Sequence, residues 1–344
     1  MEFQIPILIK PLPDPITYKN KILLVGSCFT EHIGNSLEEL KFPVLQNPNG
    51  ILFDPHSVST SLISYAQNKQ YSEEDFFQLN EIWHSWQHHS RYSHTNLQEA
   101  VRIVNQSRQK AHEFLKNADW IIITLGSAFS YRLTNLTPQP PLHPDSYRER
   151  GGEPVANCHR APAQWFNKHL MTIDEIVSAL DNCLGQLFPF NPKLKIIFTV
   201  SPVRHIRDGV VDNNRSKARL IESVHQLVNK FDKLYYFPAY ELVIDVLRDY
   251  RFYDIDLVHP NYAATEFVLE KFAETCIDEN TQKLMEEVRS IVIARKHKAF
   301  QPETIAHKQF LESYFEKTKT LQTKYSFLNL QEELNYFAEG KQIL

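Results

Sequence analysis

The sequence predicts an α/β protein: a doubly wound parallel sheet of about five strands, layered α/β/α, followed by a helical C-terminal extension. Three observations carry this. Apolar runs of strand length, such as "WIIITL" at 120–125 and "KIIFTV" at 195–200, alternate with helical patterns. That alternation is what parallel βα units produce when helices cover both faces of a sheet. Beyond about Asp278 the pattern becomes charged and helical, without further strands.

The elements are taken in chain order. Strands are predicted at 21–25 ("KILLV"), 43–45, 120–125, 195–200 and 234–237 ("LYYF"). Helices are predicted at 30–39, 55–68, 96–116, 172–187, 214–231 and 262–276 from their periodicity and start signals. The fourth opens on Thr172-Ile173-Asp174-Glu175, a capping box in which hydroxyl and carboxylate each accept the other's backbone N–H. Two stretches, 72–94 and 127–170, break the rhythm. Rich in His, Pro, Asn and Arg, they are too long for ordinary βα loops and read as insertions, where function concentrates. The expected division is an α/β domain at 1–277 and a helical extension at 278–344 built on "QKLMEEVRSIVIARKHK" and "HKQFLESYFEKTKTLQTKY".

Composition narrows the partners. Of 344 residues 42% are hydrophobic and 23% charged, with a formal charge of −4, as in soluble globular proteins. Lys and Arg are scattered without a basic tail, so no nucleic-acid partner is expected. The N-terminus lacks the basic and apolar regions of a signal peptide, and no apolar run approaches membrane-spanning length. A cytoplasmic location with no membrane partner is the expectation. Cys28, Cys158, Cys183 and Cys276 are far apart with no CxxC pair, which fits reduced thiols better than disulfides or a zinc site.

Glycines are few, nine in all, where the usual share of ~7% would supply about two dozen. Three stand just past predicted strands: Gly26 after the first, Gly50 after the second in Asn47-Pro48-Asn49-Gly50, and Gly126 after the third. In a doubly wound sheet those strand ends share the rim where ligands bind. Neither Gly-x-Gly-x-x-Gly nor a Walker A sequence comes after the first strand, so the standard phosphate loops are not expected. Ser27 occupies that place instead, at the mouth of a helix whose free N–H groups favour a developing anion. Ser27 is either a nucleophile or a helix N-cap.

A partner lies in Asp254-Ile255-Asp256-Leu257-Val258-His259-Pro260-Asn261. Asp256 and His259 are three apart, so on one turn the carboxylate can hold the imidazole Nδ1–H and leave Nε2 for a serine. Asp254 is the alternative orienting group, and a plain helix-start turn is the other reading of the same residues. Pro260 suits the first turn of the last α/β helix and leaves His259 in the loop before it.

Rim glycines, a serine after the first strand and Asp-x-x-His before the last helix, in this order, resemble the SGNH (GDSL-like) esterase and acyltransferase superfamily. The run "GSCF" at 26–29 resembles the signature of the GSCFA domain family, as do "NPNGILFDP", "TLGSAFSY", "NCHRAP" and "TVSPVRHIRDG". The resemblance covers about 20–275. It implies a flavodoxin-like sheet and acyl transfer through an acyl-serine, with Ser27 as nucleophile, His259 as general base and Asp256 as orienting carboxylate. It further implies an oxyanion hole made by the backbone N–H groups of Ser27 and Gly50. The superfamily's Gly-x-Asn after the third strand is replaced here by Gly126-Ser127-Ala128. Ser127, Asn49 or a backbone N–H supplies the third donor, or the hole has two members. Cys28 is the rival nucleophile; neighbouring side chains on a helix diverge by about 100°, and the resemblance gives the rim to Ser27, leaving Cys28 as a small buried hydrophobe.

Other polar clusters are candidates for substrate contact. Arg204 and His205 come after the fourth strand and reach the same rim, with Arg204 suited to a carboxylate or phosphate. His159 and Arg160 in the second insertion are candidates of the same type, and His88 in "WHSWQHH" is read as part of an aromatic and imidazole cleft wall. No cofactor and no metal are expected. The leading function is a serine ester hydrolase or O-acyltransferase acting on a small-molecule or glycan acyl ester. The competing readings are a silent binding module on the same fold and, further behind, a metal-dependent enzyme using His84 to His94. Nothing in the sequence sets the oligomeric state.

Overall fold

A computed structural model describes residues 5–134 and 152–342; the rest of the chain, including part of the second insertion and the two chain ends, lies outside the described residues. The chain runs β1 Ile22–Gly26, α1 Cys28–Glu39, β2 Val44–Gln46, α2 Pro55–Ala66, β3 Phe76–Leu79, β4 Ile82–Ser85, α3 Leu97–Asn117, β5 Trp120–Leu125 and β6 Phe129–Leu133. It continues through β7 Pro154–Val155, β8 Phe166–Leu170, α4 Ile173–Phe190, β9 Lys195–Val200, α5 Gly209–Lys230, β10 Leu234–Tyr236 and α6 Ala239–Glu241, which runs on as a π turn, Leu242–Leu247. Helices α7 Tyr262–Cys276, α8 Glu279–Lys296, α9 Ile305–Lys324 and α10 Gln331–Gln342 complete it.

The predicted doubly wound sheet is present. Five strands lie in the order β10-β9-β5-β1-β2, every neighbouring pair parallel. In chain order this is the 2-1-3-4-5 flavodoxin-like winding, whose direction reverses between β1 and β5. Register there runs Ile22 opposite Trp120 to Gly26 opposite Thr124, so both strands deliver their next loops to one crevice.

Helices cover both faces because successive side chains of a strand point to opposite sides. Ile22, Leu24 and Ile122 pack with Phe29 and Leu37 of α1 and Phe272 of α7, while Leu23, Val25 and Ile123 pack with Leu62 of α2 and Leu220 of α5. The first of these layers continues into Val288 of α8, Leu321 of α9 and Phe337 of α10, so the C-terminal helices bury their apolar faces in the same core as α1 and α7.

The Thr172–Glu175 capping box forms, with Thr172 Oγ1 accepting from Glu175 N at 3.2 Å and Glu175 Oε2 from Thr172 N at 2.7 Å. Helix α5 begins at Gly209, five residues before its predicted start at Asn214; the 3₁₀ turn Ile206–Asp208 leads into it.

The insertions contain strands that the sequence did not announce. β3 and β4 form an antiparallel hairpin, and β6 takes β7 and β8 as antiparallel partners on either side. Phe77 stacks on Trp86 with ring centroids 3.5 Å apart, and both join Leu133 and Val155 in one small core. The two insertions therefore pack on each other as a single cap.

Candidate active site

Gly26 sets the position of Ser27. A Cβ on Gly26 would meet Thr124 O at 2.1 Å, and its φ of +148° is one that L residues avoid. Only glycine lets β1 end this close to β5. The turn is clamped on all sides: Gly26 N donates to Asn47 Oδ1 at 2.9 Å, Leu52 N donates to Gly26 O at 2.9 Å, and Ser27 N donates to Thr124 O at 3.1 Å. Ser27 has extended backbone and stands at the N-cap of α1, yet its side chain caps nothing. The residue is 1% exposed and its hydroxyl has no hydrogen-bond partner. The N-cap reading thus describes where Ser27 is and not what its Oγ does.

Cys28 turns the other way, against the core layer of α1, and burial pushes its thiol above the ordinary range. A raised thiol is a poor nucleophile near neutrality.

The Asp256–His259 pair is made. His259 Nδ1 lies 2.6 Å from Asp256 Oδ2, while Asp256 Oδ1 accepts from Val258 N at 2.9 Å and His259 N at 3.0 Å. These bonds, the imidazole's first, hold the carboxyl down to about 2. An ionised carboxylate only accepts, so Nδ1 carries the proton and the Nε2 lone pair is left for chemistry. Asp254, the alternative orienter, instead closes the loop through its backbone: its N donates to His259 O at 2.8 Å and its O accepts from Leu257 N at 2.9 Å. The loop touches the end of β9, where Arg204 N reaches Val258 O at 3.4 Å. No hydrogen bond joins Ser27 to His259 in this structure.

His205 lies on the loop after β9. Its ring meets Phe53 edge-on at 5.4 Å, and Phe53 in turn borders Gly126 and, through it, the Ser27 side chain. Burial, and then the charge of Lys217, push His205 down to about 4, with His259 also within electrostatic reach. Arg204 lays its guanidinium over Tyr253 at 4.4 Å, and its Nη1 is buried without a hydrogen-bond partner.

The nominated oxyanion donors are already engaged. Ser27 N is bound to Thr124 O, Gly50 N donates to Asn47 O at 2.7 Å and Ser127 N to Phe53 O at 3.0 Å. Asn49 Nδ2 donates to Gln87 O at 3.2 Å, and Ser127 Oγ accepts from Phe129 N at 3.0 Å. Gly50 has a structural reason of its own: φ is +79° and a Cβ would meet His89 Cβ at 2.2 Å.

His88 and His159, expected to contact substrate, both lie buried. His88 is 1% exposed, bonded to Ser85 Oγ at 2.9 Å and set edge-on to Tyr71; burial pushes it down to about 3. His159 bonds Ser85 O at 2.8 Å through Nε2 and Ser90 Oγ through Nδ1, and burial pushes it down to about 4. Both are interior groups of the cap, because the hairpin folds this stretch onto the second insertion instead of leaving an open wall. Arg160 beside them is exposed. Among the described residues, no three His, Cys, Asp or Glu side chains are grouped to hold a metal, and no helix is long and apolar enough to cross a membrane.

Lys217 is the residue that sequence reasoning missed. It is buried on α5 with Nζ bonded to Gly126 O at 2.5 Å and Ser201 O at 2.7 Å. Its spacing was the available signal: Lys217 falls on the stripe that continues through Leu220, Val224 and Leu227, an apolar helix face on which lysine is out of place.

Among curated proteins none matches the chain in sequence. Among solved structures, the chain is similar to a carbohydrate esterase family 3 protein from Talaromyces cellulolyticus at 10% identity and a TM-score of 0.36, over 79% of this chain and 99% of that one. It is similar also to an acetyl xylan esterase from the rumen bacterium Butyrivibrio proteoclasticus at 12% identity and a TM-score of 0.26, over 79% of this chain and 66% of the other. Both similarities are too distant to bear on function. The family models are the decisive match: the GSCFA family over residues 21–272 and the GSCFA domain protein, C-terminal domain, over 288–341. The first spans most of the chain, and this protein belongs to the GSCFA family.

Proposed function

We propose that this protein is a serine-dependent ester hydrolase or O-acyltransferase of the SGNH type, acting through an acyl-serine on a small-molecule or carbohydrate-linked acyl ester. One observation carries the reading: an unpartnered serine hydroxyl at the β1/β5 switch point, with, on the neighbouring loop, an Asp-oriented imidazole whose Nε2 has no hydrogen bond among the described residues. A structural N-cap would spend the Ser27 hydroxyl on the helix, and here it caps nothing.

In the reaction, Ser27 Oγ forms a bond to the acyl carbon as its proton passes to His259 Nε2, and Asp256 stabilises the resulting imidazolium. The tetrahedral oxyanion collapses, the alcohol leaves with the proton from Nε2, and water or an acceptor hydroxyl repeats the sequence in reverse. Oxyanion donors come from Ser27 N, Gly50 N, Asn49 or Ser127, which exchange their carbonyl partners for the developing charge. Arg204 and His205 contact the substrate beyond the acyl group. Exposed Ile206 beside Arg204 and His205, Val210 at the start of α5, and Ile255 and Leu257 beside Asp256 and His259 suit an apolar part of the ester. The four free cysteines fit a reducing compartment such as the cytoplasm.

Fluorophosphonate labelling read by peptide mapping tests this. The expected result is one adduct, on Ser27, absent in Ser27→Ala and slowed by about 1000-fold or more in His259→Ala. A folded native sample that takes no label at Ser27 sinks the enzyme reading and leaves a binding module on the same fold.

A further inference from the structure

Lysine is almost never fully buried without a counter-charge. Lys217 is 1% exposed, and no carboxylate pairs with it among the described residues. Its ammonium donates instead to two backbone carbonyls, Gly126 O at the end of β5 and Ser201 O at the end of β9. Those strands are neighbours in the centre of the sheet. Gly126 is also the wall of the nucleophile: a Cβ placed on it would lie 3.1 Å from Ser27 Cβ. The titratable groups facing Lys217 are Cys28 from α1 and His205 from the loop after β9. Burying an ammonium costs several kcal/mol even after relaxation, and here two carbonyl bonds without a counter-charge are set against that cost. A local rule broken beside a candidate site is where function is expected to compensate.

We propose that Lys217 is a positioning residue for acylation of Ser27: it ties the Gly126 and Ser201 carbonyls together, fixing the wall against which Ser27 stands, and supplies positive charge one peptide away from the developing oxyanion. The role rests on the acyl-serine reading. It acts through the Gly126–Ser127 peptide and touches no reacting atom. With the nominated N–H donors engaged by carbonyls, a fixed charge in a water-poor interior is the kind of preorganised field that favours an anion. Burial pushes the Lys217 ammonium down to about 7, so the charge is present on the acid side of neutrality and is lost as pH rises.

The test is the rate of fluorophosphonate labelling at Ser27 between pH 5.5 and 9 in the full chain, for the native protein, Lys217→Met and Lys217→Arg. The native rate is expected to decline above about 7, as Lys217 loses its charge. Lys217→Met is expected to be slower on the order of 10-fold at pH 6.5, less than the about 100- to 1000-fold loss of a direct oxyanion donor, and to show no decline. Lys217→Arg, which stays charged, is expected to keep more of the rate and also lack the decline. A residue with only a structural role would lower the melting temperature and leave the shape of the profile alone. Native labelling that reaches a plateau through pH 9, or a folded Lys217→Met with the native rate and profile, overturns the proposal. The native profile decides by itself if the variants fail to fold. No labelling of native Ser27 at any pH removes the acyl-serine reading, and the role of Lys217 with it.

Discussion

Two sides of the rim are built in opposite ways. On one, Ser27 is 1% exposed, its hydroxyl unpartnered and the amides around it tied to carbonyls. On the other, Asp256 and His259 have side chains 46% and 42% exposed and their mutual bond is complete. The Asp256–His259 pair is therefore assembled at the surface, while Ser27 stands buried among hydrogen-bonded amides. Under the acyl-serine proposal, substrate entry accordingly has to rearrange the serine side. In the proposed reaction its carbonyl–amide bonds are the ones that an incoming acyl oxygen replaces, and the Ser27–His259 hydrogen bond forms when the two sides meet.

Asp256→Asn strikes hardest at this contrast. The amide would offer His259 Nδ1 either a donor or a weaker acceptor, so the tautomer is no longer enforced. Ser27 labelling is expected to slow on the order of 100-fold, less than for a buried triad because this pair is open to water. An unchanged rate would show that the surface side does not work on the serine side.

Acid separates the sides next. His88, His159 and His205 are held down to about 3, 4 and 4, below the unfolded value of about 6.5. Between those values the unfolded chain binds the protons that the fold refuses, so stability falls as pH drops below about 6.5. Fully buried His88 contributes about 2 kcal/mol of that loss by pH 5, readable as a lower urea midpoint at pH 5 than at pH 7. His88→Phe should flatten the fall. Asp256 acts in the same direction over a lower window: its bonds favour the fold above the unfolded carboxyl value and are lost only as pH falls towards about 2. Equal midpoints at pH 5 and 7 would contradict the buried, neutral state of these histidines.

A smaller effect belongs to Gly126→Ala. Its Cβ would lie 3.0 Å from Phe53 Cδ1 and 3.1 Å from Ser27 Cβ, a shift of a few tenths of an ångström for one of them. A misplacement of that size is expected to slow labelling about 3- to 10-fold with the fold intact. No slowing would mean that the serine side is less rigid than its hydrogen bonds imply.

The legible parts of this molecule were those governed by local chemistry. β5 and β9 were read to their observed ends because buried strands are short apolar runs, and Thr172 and Glu175 because a capping box is a four-residue event. Asp256 and His259 were legible for the same reason, being three residues apart in one turn. The insertions were not. Phe77, Trp86, Leu133 and Val155 meet only after two distant segments dock, and no period of 2 or 3.6 records that meeting. It turned "WHSWQHH" from a cleft wall into an interior.

Residue order alone carried the winding of the sheet, the rim at which Gly26-Ser27 and Asp256–His259 emerge, and the family. Which polar groups are free at that rim was settled by packing. Folding committed the nominated amides to Thr124, Asn47, Phe53 and Gln87, buried His88 and His159, and brought Lys217 from α5 under Gly126 and Ser201. The reason is that a hydrogen bond's partner and a group's hydration depend on what lies across space. Residue type and spacing constrain only what lies along the chain.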